Sequence, residues 1–340
     1  MCTDIQLKAH DKSVVVGRTM DFEIETQAAL AIVKKGTKQN TTTPDGEKSL
    51  SWTTQYSYLG ITAFNSPKYF IHSINEQGLI MAILWLPETQ FPILKCSQYS
   101  NSIHITDLTG FILGSSTTIT QVKQKLKKVH IWADKMPQLG NIIPPIHLVF
   151  HDKSGNSIVV EFIEGKMNIH KNIGIVTNSP SYDWHLTNLR NYMRLTNQDV
   201  ESLDIEGKCL VAPGKGNGLF GMPGDFTPPS RFIRGYMLAQ FVNKPQTVLD
   251  AIVSMSHILG NVTVPKGTSI HTENKEEMQN YTQWLCISDL HNMQFYIKNA
   301  NSLGYIVIDL NKIWNISNSK LVKLAQIYSE AGLNITKLFE

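Results

Sequence analysis

The run Leu79–Trp85 (LIMAILW) is apolar at every position, the pattern of a strand covered on both faces. The chain opens on another recognisable unit. Ile5 to Ala9 reads as a strand, the polar stretch His10-Asp11-Lys12-Ser13 as a turn, and Val14 to Asp21 as the returning strand. Further hairpin patterning follows: Ile146 to His151 and Ser157 to Ile163 flank the turn residues Asp152 to Asn156, and Ile173 to Thr177 comes next. Gln283 to Leu290, Met293 to Lys298 and Tyr305 to Leu310 form a closing meander. Between these groups the apolar period becomes helical over Thr118 to Ile131 and Ser181 to Leu195. It is helical again in a pair, Arg231 to Val242 and Pro245 to Leu259, broken at Asn243-Lys244-Pro245, and in an amphipathic tail, Lys320 to Phe339. Grouped strands with grouped helices predict an α+β fold. An antiparallel sheet buried on both faces needs cover on each side, and a helix–sheet–sheet–helix stack of four layers (αββα) supplies it.

Composition narrows the function classes. The 340 residues are 42% hydrophobic and 17% charged, and no Gly/Ser- or Pro-rich linker divides them, so one domain over residues 1–340 is expected. The net charge of +3 is small for this length. The only basic cluster, Lys123, Lys125, Lys127 and Lys128, reads as one solvated helix face, so nucleic acid is not an expected partner. No stretch approaches the ~20 apolar residues of a membrane span. The start Met1-Cys2-Thr3-Asp4 has no signal-peptide pattern, which predicts a cytoplasmic protein, or a periplasmic or secreted one if a leader has been trimmed from the chain. The five Asn-x-Ser/Thr triplets read as chance in an Asn- and Thr-rich chain. Cys2, Cys96, Cys209 and Cys286 match no zinc or CxxC spacing, and Cys286 in Trp284-Leu285-Cys286-Ile287 reads as a core thiol. The histidines form no HExxH, GxSxG is absent, and Gly214–Gly218 lacks the phosphate-loop spacing. No metal or cofactor is expected.

Cys2 is the residue that carries chemistry. A cysteine after the initiator is often incidental, but this one precedes a strand, where a terminus is held. Removal of Met1 would leave thiol and free α-amine on one residue. Ordinary pKa values of ~7.7–8.0 and ~8.5 make proton transfer between such groups nearly isoenergetic. The turn near Asp11-Lys12 returns Arg18 and Asp21 beside Cys2. There a guanidinium would favour the thiolate and a carboxylate could hold the amine. The two are three apart and point to opposite faces of a regular strand, so both reach Cys2 only if that strand ends or bulges near Met20. Asn178, in Thr177-Asn178-Ser179-Pro180 at a strand end, reads either as turn chemistry or as an uncharged oxyanion donor. In Gly224–Arg231, Ser230 reads as a helix N-cap and Arg231 as exposed.

With these residues in view, the chain resembles the choloylglycine hydrolases, the family of bile salt hydrolases and penicillin V acylases. The resemblance lies in Met1-Cys2-Thr3, Gly17-Arg18-Thr19-Met20-Asp21, Asn75-Glu76-Gln77-Gly78-Leu79, Thr177-Asn178-Ser179-Pro180, Asn188-Leu189-Arg190-Asn191-Tyr192, and Pro223-Gly224-Asp225 through Ser230-Arg231-Phe232. It implies an αββα N-terminal-nucleophile fold, commonly a tetramer, that cleaves linear amides through a thioester. Cys2 would be nucleophile and its amine the base. Arg18 would tune the thiol, Asp21 hold the amine, Asn178 help form the oxyanion hole, and Arg231 complete the polar network. Where bile salt hydrolases carry an oxyanion Asn, this chain has Trp85, resembling Gram-negative penicillin V acylases. That shifts the expected substrate from conjugated bile salts, kept as the alternative, toward aryloxyacetyl or fatty-acyl amides, including N-acyl homoserine lactones. The backbone N–H of Trp85 could serve as donor and its ring could line an acyl pocket, with Met20, Tyr58, Phe64 and the loop Trp132–Ile142 as further candidates. The expectation from another class is a non-catalytic small-molecule binding protein on the same fold.

Overall fold

The computed structural model describes residues 1–273, 275–316 and 321–327. Two antiparallel sheets face each other. The six-stranded sheet runs in the order Ile175–Val176, Cys2–Lys8, Val14–Phe22, Tyr281–Asp289, Gln294–Asn299, Ile306–Asp309. The eight-stranded sheet runs Lys166–Lys171, Ser157–Ile163, Ile146–His151, Ile80–Trp85, Phe70–Asn75, Tyr58–Thr62, Ala29–Val33, Val322–Lys323. Helices Pro228–Phe241 and Val248–Val262 cover the outer face of the first sheet. Helices Leu108–Leu113 and Ile119–Leu126 cover the outer face of the second through a separate apolar cluster that includes Leu108, Ile112, Val122 and Phe150. This is the expected αββα stack.

The differences from the sequence reading have local causes. The first strand begins at Cys2 rather than Ile5, because Cys2 and Thr3 pair with Met20 and Thr19. The Thr118–Ile131 helix stops at Leu126, and His130–Trp132 leaves it to pair in parallel with Ser102–His104. The Lys128 end of the basic cluster therefore lies beyond the helix. Lys125 is half-buried, donating to the Ser115 hydroxyl at 2.7 Å with its ammonium over the Phe111 ring. Thr227, not Ser230, occupies the N-cap position of Pro228–Phe241, without a side-chain cap bond; the Ser230 hydroxyl donates to Asp225 at 2.6 Å. The four cysteines are free thiols, Cys286 buried and Cys96 and Cys209 exposed. Residues 320 and 328–339 of the expected tail lie outside the described residues; Val322–Lys323 within it pairs with Leu30 and Ala29.

Two glycines bring the helical layer close to the strands that carry the N-terminus. A Cβ at Gly17 would collide with the Met255 side chain and sit 3.1 Å from Leu259. One at Gly235 would lie 2.7 Å from Ile175 and 3.2 Å from Ile5. Between the sheets a polar bridge ties the first strand to the facing sheet. His151, fully buried, lies 2.7 Å from Asp4 through Nε2 and 2.7 Å from Gln6 through Nδ1.

Candidate active site

Strand alternation decides what surrounds Cys2. In the second strand Arg18 and Met20 point between the sheets, toward the same side as Cys2, whereas Thr19 and Asp21 point at the helices. The strand Val14–Phe22 neither ends nor bulges against the first strand. The register shift lies across from Met20 and Asp21, in the neighbouring strand between Thr282 and Trp284. The two candidates thus serve opposite faces of one strand, and the bulge expected within it is absent.

On the inner face the Cys2 Sγ lies 3.6 Å from Arg18 Nη2 and 3.5 Å from Met20 Sδ. Arg18 is fully buried. Its Nη1 and Nη2 donate to the backbone carbonyls of Ile71 and Ile83, strands of the facing sheet, and the guanidinium lies over the Trp284 ring, 5.5 Å from its centroid. Among the described residues no carboxylate comes within 4.0 Å of it. Backbone carbonyls orient the cation without neutralising it, so a thiolate at Cys2 is the anion best placed to do so.

On the outer face Asp21 is fully buried and accepts from the hydroxyls of Thr19 (3.0 Å) and Thr282. Its Oδ2 lies 3.5 Å from Arg231 Nη1. Asp21 meets the terminus through its main chain: its carbonyl accepts from the Met1 amine, and its N–H donates to the Met1 carbonyl at 2.8 Å. Burial pushes that amine below its usual range, with the negative charge available at Cys2 and Asp21 opposing the shift.

Arg231 is buried, not exposed, because the close helix–sheet packing drives its side chain under the first strand. It donates to the Cys2 carbonyl at 2.7 Å, to Thr3 Oγ1 at 2.5 Å, to Asn178 Oδ1 at 2.8 Å and, through Nε, to the Phe226 carbonyl at 2.9 Å. Asn178 Oδ1 also accepts from the Cys2 N–H at 2.6 Å. Its Nδ2 donates to the Trp85 carbonyl at 2.8 Å, and a carboxamide keeps a second N–H beyond that bond. The segment bearing Asn178 is itself held by two histidines that nothing in the sequence marked. His147 Nε2 lies 3.1 Å from the Thr177 carbonyl, and His185 Nε2 lies 2.8 Å from the Asn178 carbonyl. Buried Glu161 orients His147 from behind at 3.1 Å and accepts from the Tyr182 N–H. Burial pushes His185 below the ordinary histidine range, which favours a neutral ring donating one N–H.

The thiol opens on a cavity of about 740 Å³, its mouth included, between the sheets. Its walls include Phe22, Phe64, Phe70, Ile71 and Trp85, and no lining residue is charged. Met20, Phe64 and Trp85 line it, and the Trp132–Ile142 loop contributes Met136 and Leu139. The Trp85 ring packs on Phe22 at 5.2 Å, and its carbonyl, rather than its N–H, is the backbone group tied to Asn178. Tyr58 does not line the cavity. It is buried on the opposite face of the eight-stranded sheet, edge-on to Phe70, with its hydroxyl accepting from Gln39 at 3.1 Å. Among the described residues no group of three or more His, Cys, Asp or Glu could hold a metal, and no helix is long and apolar enough to cross a membrane.

Known proteins resemble this chain in sequence and fold. The chain is 32% identical over 315 residues to the bile salt hydrolase/transferase of Clostridium perfringens, covering 92% of this chain and 93% of that one. It is 26% identical over 320 residues to the penicillin V acylase of Pectobacterium atrosepticum, covering 88% and 77%. The crystal structure of the C2A mutant of the C. perfringens conjugated bile acid hydrolase superposes with a TM-score of 0.83 at 28% identity, covering 98% of this chain and all of that one. The profile of the linear amide C–N hydrolases of the choloylglycine hydrolase family matches residues 2–321, and the chain belongs to that family.

Proposed function

We propose that Cys2, freed of Met1, is the nucleophile of an amidase for substrates with an apolar acyl group. The observation that carries this is the Cys2 sulfur beside an unneutralised guanidinium at the end of an uncharged, aromatic-walled cavity. In this reading the Cys2 α-amine takes the place of the amide N–H that now meets Asn178 Oδ1. There it can accept the thiol proton. The thiolate adds to the amide carbonyl, and the free N–H of Asn178 stabilises the oxyanion. The C–N bond breaks, the leaving amine takes the proton from the α-amino group, and water attacks the resulting thioester to release the acid. Asp21 and Arg231 fix the terminus and Asn178 from the helix side.

The Trp85 ring in the wall favours aryloxyacetyl and fatty-acyl amides over conjugated bile salts. Relatives bearing both names make bile salt hydrolysis the second reading. Side-by-side kcat/KM values for penicillin V, a long-chain N-acyl homoserine lactone and glycodeoxycholate test it. One of the first two is expected to lead, and dominant glycodeoxycholate turnover overturns the argument from Trp85.

Self-association has a surface as well. Met193, Leu203, Ile205, Val211 and Phe220 are exposed on the excursion before helix Pro228–Phe241, Phe220 by 91%. We infer that a second copy of this chain covers them. Light scattering is expected to give a multiple of the chain mass; a monomer at micromolar concentration rejects the inference.

A further inference from the structure

The cavity is apolar except for a few groups, and one of these is built with a fixed polarity. Thr106 lines the wall. Its Oγ1 lies 2.6 Å from His104 Nδ1, and His104 Nε2 lies 3.0 Å from Asp134 Oδ1. The Thr106 backbone N–H also points at Nδ1, at 3.4 Å, so that nitrogen carries a lone pair and the ring hydrogen sits on Nε2, donating to Asp134. The ring is held in place edge-on to Trp132, at 4.6 Å, whose own N–H donates to the Thr42 carbonyl at 3.2 Å. With Nδ1 an acceptor, the Thr106 hydroxyl must be the donor of the 2.6 Å bond. Its hydrogen is therefore spent on the wall, and its remaining lone pairs are the acceptors it offers the cavity. Thr26, the other threonine of the lining, is polarised the same way, its hydroxyl donating to Gln283 Oε1 at 2.7 Å.

We propose that Thr106, oriented by His104 and Asp134, is a recognition point for a hydroxyl group on the acyl chain of the substrate. The proposal rests on the reading of this cavity as the acyl site. A ligand hydroxyl can donate to the waiting lone pair. An unsubstituted chain lays a methylene against it and removes the water that could otherwise reach it. Hydrogen bonding is asymmetric in this way: a polar wall group left unmatched by the ligand costs more than the matched bond gains. The chemical class favoured is a hydroxyacyl amide, the hydroxyl lying part-way along an otherwise apolar acyl group. An acyl carbonyl or ether oxygen at the same place would set acceptor against acceptor and be disfavoured.

Binding of the product acids tests this apart from catalysis. Calorimetry on the wild-type protein would compare dodecanoic acid with its positional hydroxy isomers. At least one isomer is expected to bind roughly 3- to 10-fold more tightly than the unsubstituted acid. Thr106→Val, which keeps the shape and removes the acceptor, is expected to bring that ratio to about one, and Thr106→Ser to restore it. No preferred isomer, or a preference that persists in Thr106→Val, overturns the proposal. The N-acyl glycines of the same acids, assayed in parallel, separate the two failures. Acids that bind without their amides being hydrolysed count against the amidase reading, not against Thr106.

Discussion

Cys2→Ala abolishes amide hydrolysis while leaving the fold and the cavity in place. Cys2 is buried in the strand and its side chain fills little space, so alanine keeps the pairing with Met20 and leaves Arg18 on its carbonyl partners. What disappears is the thiol that faces both the Arg18 guanidinium and the cavity. Loss of a nucleophile from a group of residues acting as a unit lowers kcat by on the order of 10⁶-fold. Cys2→Ser keeps an attacking atom but replaces a readily ionised thiol by an alcohol, and most of the activity goes with it. The check is single-turnover release of amine from an acyl amide, together with the intact mass of each protein. The wild-type mass is expected to lack one methionine. Full activity in Cys2→Ala, or Met1 retained in an active protein, removes the basis of the mechanism. Met1 retained in an inactive one favours a binding protein on this fold.

Arg18→Leu is expected to give the second-largest loss, and for a separable reason. At about 4 Å and an effective dielectric of about 20, a guanidinium and a thiolate attract by about 4 kcal/mol, which sets a ceiling near 10³-fold on the loss in kcat/KM. Leucine leaves no unpaired charge in the interior, so the folding cost is expected to be smaller than that of stranding a partner, and the melting temperature checks it. The discriminating readout is chemical. Alkylation of Cys2 by iodoacetamide at neutral pH should slow by at least about 10-fold in Arg18→Leu and less in Arg18→Lys, which keeps the charge but not both carbonyl bonds. Unchanged alkylation would mean that Arg18 does not stabilise the thiolate.

Much of this site could be read along the chain, and what could not has identifiable causes. The hairpin of Cys2–Lys8 and Val14–Phe22 and the doubly covered Ile80–Trp85 strand follow from local patterning, since each needs only the period of apolar residues and the intervening turn. Cys2, Arg18 and Asp21 can be named from the hairpin that returns the second strand to the terminus, Asn178 from its strand-end position as one of two readings, and Arg231 only through the family resemblance. The carbonyls of Ile71 and Ile83 that seat Arg18 could not be named, because a backbone acceptor leaves no trace in residue identity. Nor could the Thr282 hydroxyl on Asp21, which depends on a register set by residues more than two hundred positions away. Tyr58 shows a further limit. Alternation tells which residues share a face, but not whether that face looks into the cavity or at the helices outside it.

The two rows of the strand Val14–Phe22 have an evolutionary consequence. Because even positions face the sulfur and odd positions face Asp21's hydroxyl partners, inserting or deleting one residue between the turn and Arg18 would exchange the rows. The guanidinium would go to the helices and the carboxylate into an apolar chamber. Descendants of this gene can drift freely in amino-acid identity at Val14, Val15 or Val16 so long as bulk and polarity hold. A change in length there removes both functions in one event, so the spacing from residue 2 to residue 21 is under tighter selection than most of the letters that fill it.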